Sequence, residues 1–210
     1  MSRMGIIVNV DECIGCHACF IACKQENQVS PNIQWNRIRK VENREKNIIN
    51  YFRASCQHCE DPACLKVCPM KAVYKGPHGE ILIDQDKCIA CKACLAACPY
   101  GMPMFNDQKL TSYFGEKQPL FSPSNPPTKN AQPGKAEHCT LCSHRLAKGK
   151  EPACVEICPA KALTLVDFDA PTKKQKKLLS KAVQLKAGVD TKPKVRYICS
   201  NMDFREVALK

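Results

Sequence analysis

Sixteen of the seventeen cysteines fall into four tight quartets. The first is Cys13, Cys16, Cys19 and Cys23, and the second is Cys56, Cys59, Cys64 and Cys68. The third is Cys88, Cys91, Cys94 and Cys98, and the fourth is Cys139, Cys142, Cys154 and Cys158. Each ends in C-x3-C, and Pro69, Pro99 and Pro159 close three of them. Disulfides are disfavoured, because bridge geometry is restrictive at such short spacing. The opening MSRMGIIVNV also lacks the apolar region and small-residue cleavage site of a secreted cysteine scaffold. Structural zinc prefers two C-x2-C knuckles across a longer loop, which the fourth motif, C-x2-C-x11-C-x3-C, resembles slightly. The first and third motifs are instead C-x2-C-x2-C-x3-C, in which three cysteines wrap one cubane and the fourth is carried to another. The sixteen thiolates are therefore read as ligands of four 4Fe–4S clusters, and a protein carrying four clusters reads as a conduit for electrons.

Charge and length fit that reading. The formal charge is +12, which alone points to nucleic acid or a membrane surface. Each oxidised cubane with four thiolates carries about −2, so four of them bring the loaded protein to about +4. Lys24, Lys66, Lys71, Lys92 and Lys161 lie in or beside the motifs, where cations would compensate the clusters and raise their potentials. Nucleic acid is excluded as a partner on this count. No apolar stretch approaches the ~20 residues of a membrane span. Metal binding supplies folding energy, so the iron-free chain is expected to be largely unfolded, and assembly belongs in a reducing compartment.

Short elements must hold the motifs. Residues 4–10 read as an opening strand, 17–27 as a helix carrying Cys23, and 48–54 as a strand entering the second motif. Residues 62–68 suit a short helix with Pro62 in its first turn. Residues 72–75 and 80–84 suit a hairpin across Gly76-Pro77-His78-Gly79. Residues 92–98 repeat the helix and 102–105 the following strand. Residues 106–137, including SPSNPPTKNAQPGK, read as an extended loop. In the tail, Pro171 and Gly188 bracket an amphipathic helix with Leu178, Leu179, Ala182, Val183 and Leu185 on one face. That helix is read as packing on its own domain or on a partner, with a membrane surface as the alternative. Residues 194–199 read as a closing strand.

The expected fold class is α+β, with two pseudo-symmetric ferredoxin-like modules. Residues 1–47 and 138–170 would form one from motifs one and four, and residues 48–105 the other from motifs two and three. The loop 106–137 and a C-terminal helix and strand, 171–210, complete it. Cys199 is read as a buried strand thiol and Trp35 as core. His17, His58, His138 and His144 are read as groups behind the ligands or at the surface, one of which could tune proton-coupled reduction. No Gly-rich phosphate loop, nucleophile elbow or paired-carboxylate motif is present, so no catalytic residue is assigned.

The segments VDECIGCHACFIACKQEN, CQHCEDPACLKVCPMKAVYK, DKCIACKACLAACPYG and EHCTLCSHRLAKGKEPACVEICPAKAL carry a resemblance over about residues 5–168. The protein resembles the four-cluster electron-transfer subunits of the dimethyl sulfoxide reductase family of molybdenum or tungsten enzymes. That family serves anaerobic respiration with polysulfide, thiosulfate, tetrathionate, arsenate, nitrate or dimethyl sulfoxide. The resemblance implies crossed ligation: Cys13, Cys16 and Cys19 with Cys158; Cys23 with Cys139, Cys142 and Cys154; Cys56, Cys59 and Cys64 with Cys98; and Cys68 with Cys88, Cys91 and Cys94. Because Cys91 and Cys94 are both present, four 4Fe–4S clusters are implied rather than a three-iron variant. It further implies a large molybdopterin or tungstopterin catalytic subunit at the motif-one/four end. A quinone-binding membrane subunit or another redox partner would face the motif-two/three end. The sequence lacks the membrane helix of the formate dehydrogenase type and the large insertions of the nitrate reductase type. The protein would reach a membrane through its partner, with co-export to the periplasmic face beside a twin-arginine partner ranked ahead of a cytoplasmic location. A polyferredoxin or hydrogenase-linked carrier is the alternative function, and a zinc-stabilised interaction module a third.

Overall fold

The computed structural model describes residues 2–107, 133–185, 190–207 and 209. Along them run β1 (Met4–Asn9), α1 (Ala18–Asn27), β2 (Asn36–Asn43), β3 (Ile48–Ser55), α2 (Ala63–Lys66), β4 (Val73–Lys75), β5 (Ile81–Ile83) and α3 (Ala93–Ala97). There follow β6 (Met104–Asn106), β7 (Lys135–Glu137), α4 (Ser143–Leu146), α5 (Ala153–Glu156), β8 (Leu163–Asp167), α6 (Lys173–Leu179), β9 (Val195–Ile198) and a 3-10 turn, Phe204–Glu206. The class is mixed α and β, with small sheets and short helices. Among the described residues, no helix is long and apolar enough to cross a membrane.

The central strand explains its own sequence. β1 carries Ile6, Ile7 and Val8 in succession, all buried. An unbroken apolar run means that both faces are covered. Ile7 packs with Val166 and Ile198 under Leu178, Leu179 and Ala182 of the α6 region. Ile6 and Val8 face the main core, where Phe52, Trp35, Tyr197 and Phe204 meet Cys19, Cys23, Cys139, Cys154 and Cys158. β8 pairs antiparallel and β9 parallel to β1, giving a three-stranded sheet. β2–β3, β4–β5 and β6–β7 are antiparallel pairs. A smaller core of Val73, Ile81, Ile83, Cys94 and Ala136 lies under the β4–β5 hairpin.

Several expectations need correction. The segment 106–137 is not loop at its ends: Asn106 pairs with Lys135 and Met104 with Glu137, because a second hairpin must cover the smaller core. Residues 108–132, most of that expected loop, lie outside the described residues. In the tail, β9 adds the edge strand beside β1. α6 ends at Leu179 after a capping box in which Thr172 accepts from the Gln175 amide. Val183 then leaves the helix to exchange backbone hydrogen bonds of 2.8 and 2.9 Å with Tyr197, because the sheet edge offers unpaired backbone groups. Gly188 lies outside the described residues. β2 went unanticipated, because NRIRKVEN is mostly polar and exposes one face. Cys199 is half-buried one residue beyond β9, its thiol donating to Asn201 Oδ1 at 3.2 Å.

Candidate metal centre

Recurrent backbone turns aim the cysteines. The residue two after the first cysteine of every motif has positive φ: Gly15 (70°), His58 (45°), Ala90 (63°) and Leu141 (55°). Left-handed backbone costs a non-glycine residue roughly 1–2 kcal/mol, so its recurrence marks loops shaped around a task. His17 (φ 63°) and Lys92 (φ 60°) then open α1 and α3 without a side-chain cap. Pro62 and Pro152, extended, open α2 and α5. Lys71 and Lys161, both at φ 51°, turn the chain out three residues after the last cysteine.

These turns bring sulfurs from distant motifs together. One hollow is lined by Cys13, Cys16, Cys19 and Cys158, with Ile14, Ile38 and Arg53. Another is lined by Cys23, Cys139, Cys142 and Cys154, with Asn27, Trp35 and again Arg53. A third is lined by Cys68, Cys88, Cys91 and Cys94, with Met70, Ile89, Lys92 and Ala136. Of the remaining four cysteines, Cys64 and Cys59 raise the Cys56 thiol, and Cys98 raises those of Cys59 and Cys64. The groups also influence one another in series: Cys154 raises Cys19, Cys139 raises Cys56, and Cys94 raises Cys64 through charge repulsion. Among the described residues, no three His, Cys, Asp or Glu side chains converge as the site of a single metal ion would. Four sulfurs spread around a hollow suit a multi-atom group.

The electrostatics fit an iron–sulfur ligand set. Burial first, and neighbouring sulfurs second, push the thiols of Cys64 and Cys142 up to about 12. Cys19 is pushed up to about 12 by burial, with the Arg53 guanidinium opposing. Cys59 and Cys94 reach about 11, again chiefly through burial. Iron binds the thiolate, so uptake of iron releases the protons of such thiols. Donors already face the sulfurs: the His58 amide to Cys56 Sγ at 3.5 Å, the Ala72 amide to Cys68 Sγ at 3.3 Å, and Asn27 Nδ2 to both Cys23 and Cys142 Sγ at 3.7 Å.

Of the lysines expected to compensate the clusters, three have other partners, whereas a buried arginine reaches a sulfur. Lys24 donates to the Ser30 and Pro31 carbonyls, Lys66 pairs with Asp61 at 2.6 Å, and exposed Lys92 lies 4.1 Å from the Phe105 ring centroid. Arg53, 2 % exposed, sends Nη2 to Cys139 Sγ at 3.5 Å and Nη1 to Ser55 Oγ at 2.6 Å. No motif carried it; the available signal was a lone charge in the strand Ile48–Ser55, just before motif two. Of the two places expected for the histidines, behind the ligands or at the surface, His58 and His138 are buried, with ring centroids 6.3 Å apart. His17 is exposed, and His144 bonds Glu26 at 2.7 Å. Trp35 is core as expected, and its indole N–H donates to buried Glu137 at 2.7 Å.

Strand–loop–helix units that gather cysteine quartets around hollows define an iron–sulfur protein of the dicluster ferredoxin kind. Two sequence models of the 4Fe–4S dicluster domain match, one over residues 48–113 and 119–168 and the other over residues 12–72. The arsenate respiratory reductase iron–sulfur subunit of Shewanella sp. (strain ANA-3) is 36% identical, over 94% of this sequence and 97% of its own length. The B subunit of polysulfide reductase from Wolinella succinogenes is 35% identical over 92% of both sequences. The B subunit of anaerobic dimethyl sulfoxide reductase from Escherichia coli (strain K12) is 33% identical, over 92% of this sequence and 87% of its own. The protein belongs to the family of iron–sulfur electron-transfer subunits of the dimethyl sulfoxide reductase type of molybdenum oxidoreductases. Its cofactors are four 4Fe–4S clusters, and its function is electron relay.

Proposed function

We propose that the protein relays single electrons between a molybdopterin or tungstopterin catalytic subunit at one end and a quinone-linked membrane subunit or other redox partner at the other. The observation that carries this reading is the exposure pattern of the cysteines. Cys16 and Cys91 are exposed, whereas Cys139, Cys142, Cys154, Cys56, Cys59 and Cys98 are buried. Beside Cys16, the large apolar side chain Ile14 (65 % exposed) stands uncovered, and around Cys91 so do Ile89 (57 %) and Met70 (47 %). Uncovered apolar side chains beside a cofactor site fit protein partners. Two such rims, with buried quartets in series between them, fit a wire with two ends.

The ligand sets we assign are crossed: Cys13, Cys16, Cys19 and Cys158; Cys23, Cys139, Cys142 and Cys154; Cys56, Cys59, Cys64 and Cys98; Cys68, Cys88, Cys91 and Cys94. The shared hollows and the mutual electrostatics of the thiols support these sets. A 4Fe–4S cluster, when bound, takes up and releases one electron. The protein supplies sulfur ligands, amide donors to sulfur, and a core that excludes water. We further infer two pseudo-symmetric modules, motif one corresponding to three and motif two to four. Matched left-handed turns support this: Gly15 with Ala90, His17 with Lys92, His58 with Leu141, and Lys71 with Lys161. The motif-one/four end is assigned to the catalytic subunit. Membrane association would come through a partner, on the periplasmic face if the catalytic subunit carries a twin-arginine signal.

Two experiments test this. Purification should yield a stable complex with a much larger pterin-binding subunit; isolation as a competent free monomer counts against the proposal. Cys158→Ser should alter the spectrum of the cluster held by Cys13, Cys16 and Cys19, and damage confined to the Cys139/Cys142/Cys154 cluster would sink the crossed topology.

A further inference from the structure

Arg53 sits where two cluster sites meet. It lines the hollow of Cys13, Cys16, Cys19 and Cys158 and also that of Cys23, Cys139, Cys142 and Cys154. Its guanidinium is fixed rather than free, with Nη1 on Ser55 Oγ at 2.6 Å and Nη2 on Cys139 Sγ at 3.5 Å. Nε is buried without a hydrogen-bond partner among the described residues. An arginine keeps its proton even here, so this is a permanent positive charge.

The other half of the molecule provides an internal contrast. Arg53 lies three residues before Cys56, on β3, opposite Ile38 of β2. Three residues before Cys139, on β7 and opposite Phe105 of β6, stands Ala136. Ala136 is likewise buried and lines the hollow of Cys68, Cys88, Cys91 and Cys94. Corresponding positions thus hold a cation in one half and a methyl group in the other.

We propose that Arg53 is a positioning residue that sets reduction potential: one buried cation shared by the two clusters of motifs one and four, raising both potentials together and leaving the other two unaffected. Adding an electron to a cluster makes it more negative, and a fixed positive charge shielded from water favours that state. Because the guanidinium borders both hollows, the effect falls on a pair. Potentials of the motif-one/four clusters are thereby raised relative to those of the motif-two/three clusters, which biases electrons toward the first pair. The inference rests on the crossed ligand sets proposed above.

The test is a reductive titration of the whole complex, monitored by electron paramagnetic resonance. Signals are first assigned with Cys158→Ser. In Arg53→Gln, at a solution potential equal to the parent midpoint, the reduced-to-oxidised ratio should fall at least about tenfold for two clusters, a shift of about 59 mV for one electron. The other two should not move. No shift, a shift of one cluster alone, or an equal shift of all four overturns the proposal. Should Arg53→Gln fail to take up iron, Arg53→Lys and Ser55→Ala carry the test. Both keep the charge, and both are expected to hold the ratios within about threefold of the parent; a tenfold loss in either overturns it. If Cys158→Ser damages its own motif's cluster instead, the ligand sets fall, while the count of signals that move in Arg53→Gln still decides the role of Arg53.

Discussion

Phe204→Ala should shorten the life of the loaded protein by about two orders of magnitude. Phe204 is 1 % exposed, although it lies far along the tail. Its ring meets Phe52 edge-on at 4.7 Å and stacks on Tyr197 at 5.0 Å. Removing a buried phenylalanine ring costs about 3–5 kcal/mol, and each aromatic contact contributes about 0.5–1.5 kcal/mol beyond area. A short terminal turn can partly collapse into the space, which places the loss near the low end, about 3 kcal/mol. We expect contacts made by the tail to form late in folding, which places nearly all of this loss in the unfolding rate, as about a hundredfold increase. The assay is decay of visible iron–sulfur absorbance in guanidinium, with the parent protein alongside. A rate within about threefold of the parent would refute the reasoning, since that corresponds to under about 1 kcal/mol and would make the tail a dispensable flap.

Glu26 accepts His144 Nε2 at 2.7 Å and Arg145 Nη1 at 2.9 Å, tying α1 to α4. Burial alone would raise its carboxyl, but these donors outweigh it and hold the group below its ordinary 4.5. Its contribution is therefore present above about pH 4.5 and lost as pH falls below that value. Glu26→Gln should cost about 1–2 kcal/mol at pH 7, after allowance for partial exposure, and thermal melts should show the gap to the parent closing in acid. Gly15→Ala places a methyl group 2.7 Å from Tyr51 Cγ at a φ of +70°. Iron analysis should fall from about sixteen to about twelve atoms per protein, through loss of the one cluster that this loop wraps.

The ligands were legible because their spacing is dictated by the cluster, and α1, α3 and the β4–β5 hairpin followed because the motifs fix where the chain turns. What was illegible depends on contacts far apart in sequence. Arg53 reads as one charge in a strand; its meaning comes from Cys19 and Cys139, which no local pattern links to it. Val183 fits an amphipathic helix, yet the backbone of Tyr197 outcompetes the helix for its amide. Ala136 and Lys135 sit beside a proline-rich stretch, so composition hid a strand that exists to cover Ile81 and Ile83. For His58 and His138 the sequence left two places open, behind the ligands or at the surface, because only the packed core shows that both are buried.

The pairing of β1 carries a consequence for how the protein is made. β1 leaves the ribosome long before either of its partners: Val8 pairs with Leu163 on one side and with Tyr197 on the other. At about 5–20 residues per second, both edges of that apolar strand wait roughly ten seconds to half a minute for a partner. An unpaired run such as Ile6-Ile7-Val8 is a standing invitation to aggregation and to chaperones during that interval. Closure of this sheet thus waits until β9 has been made, and the apolar strand stays open until then.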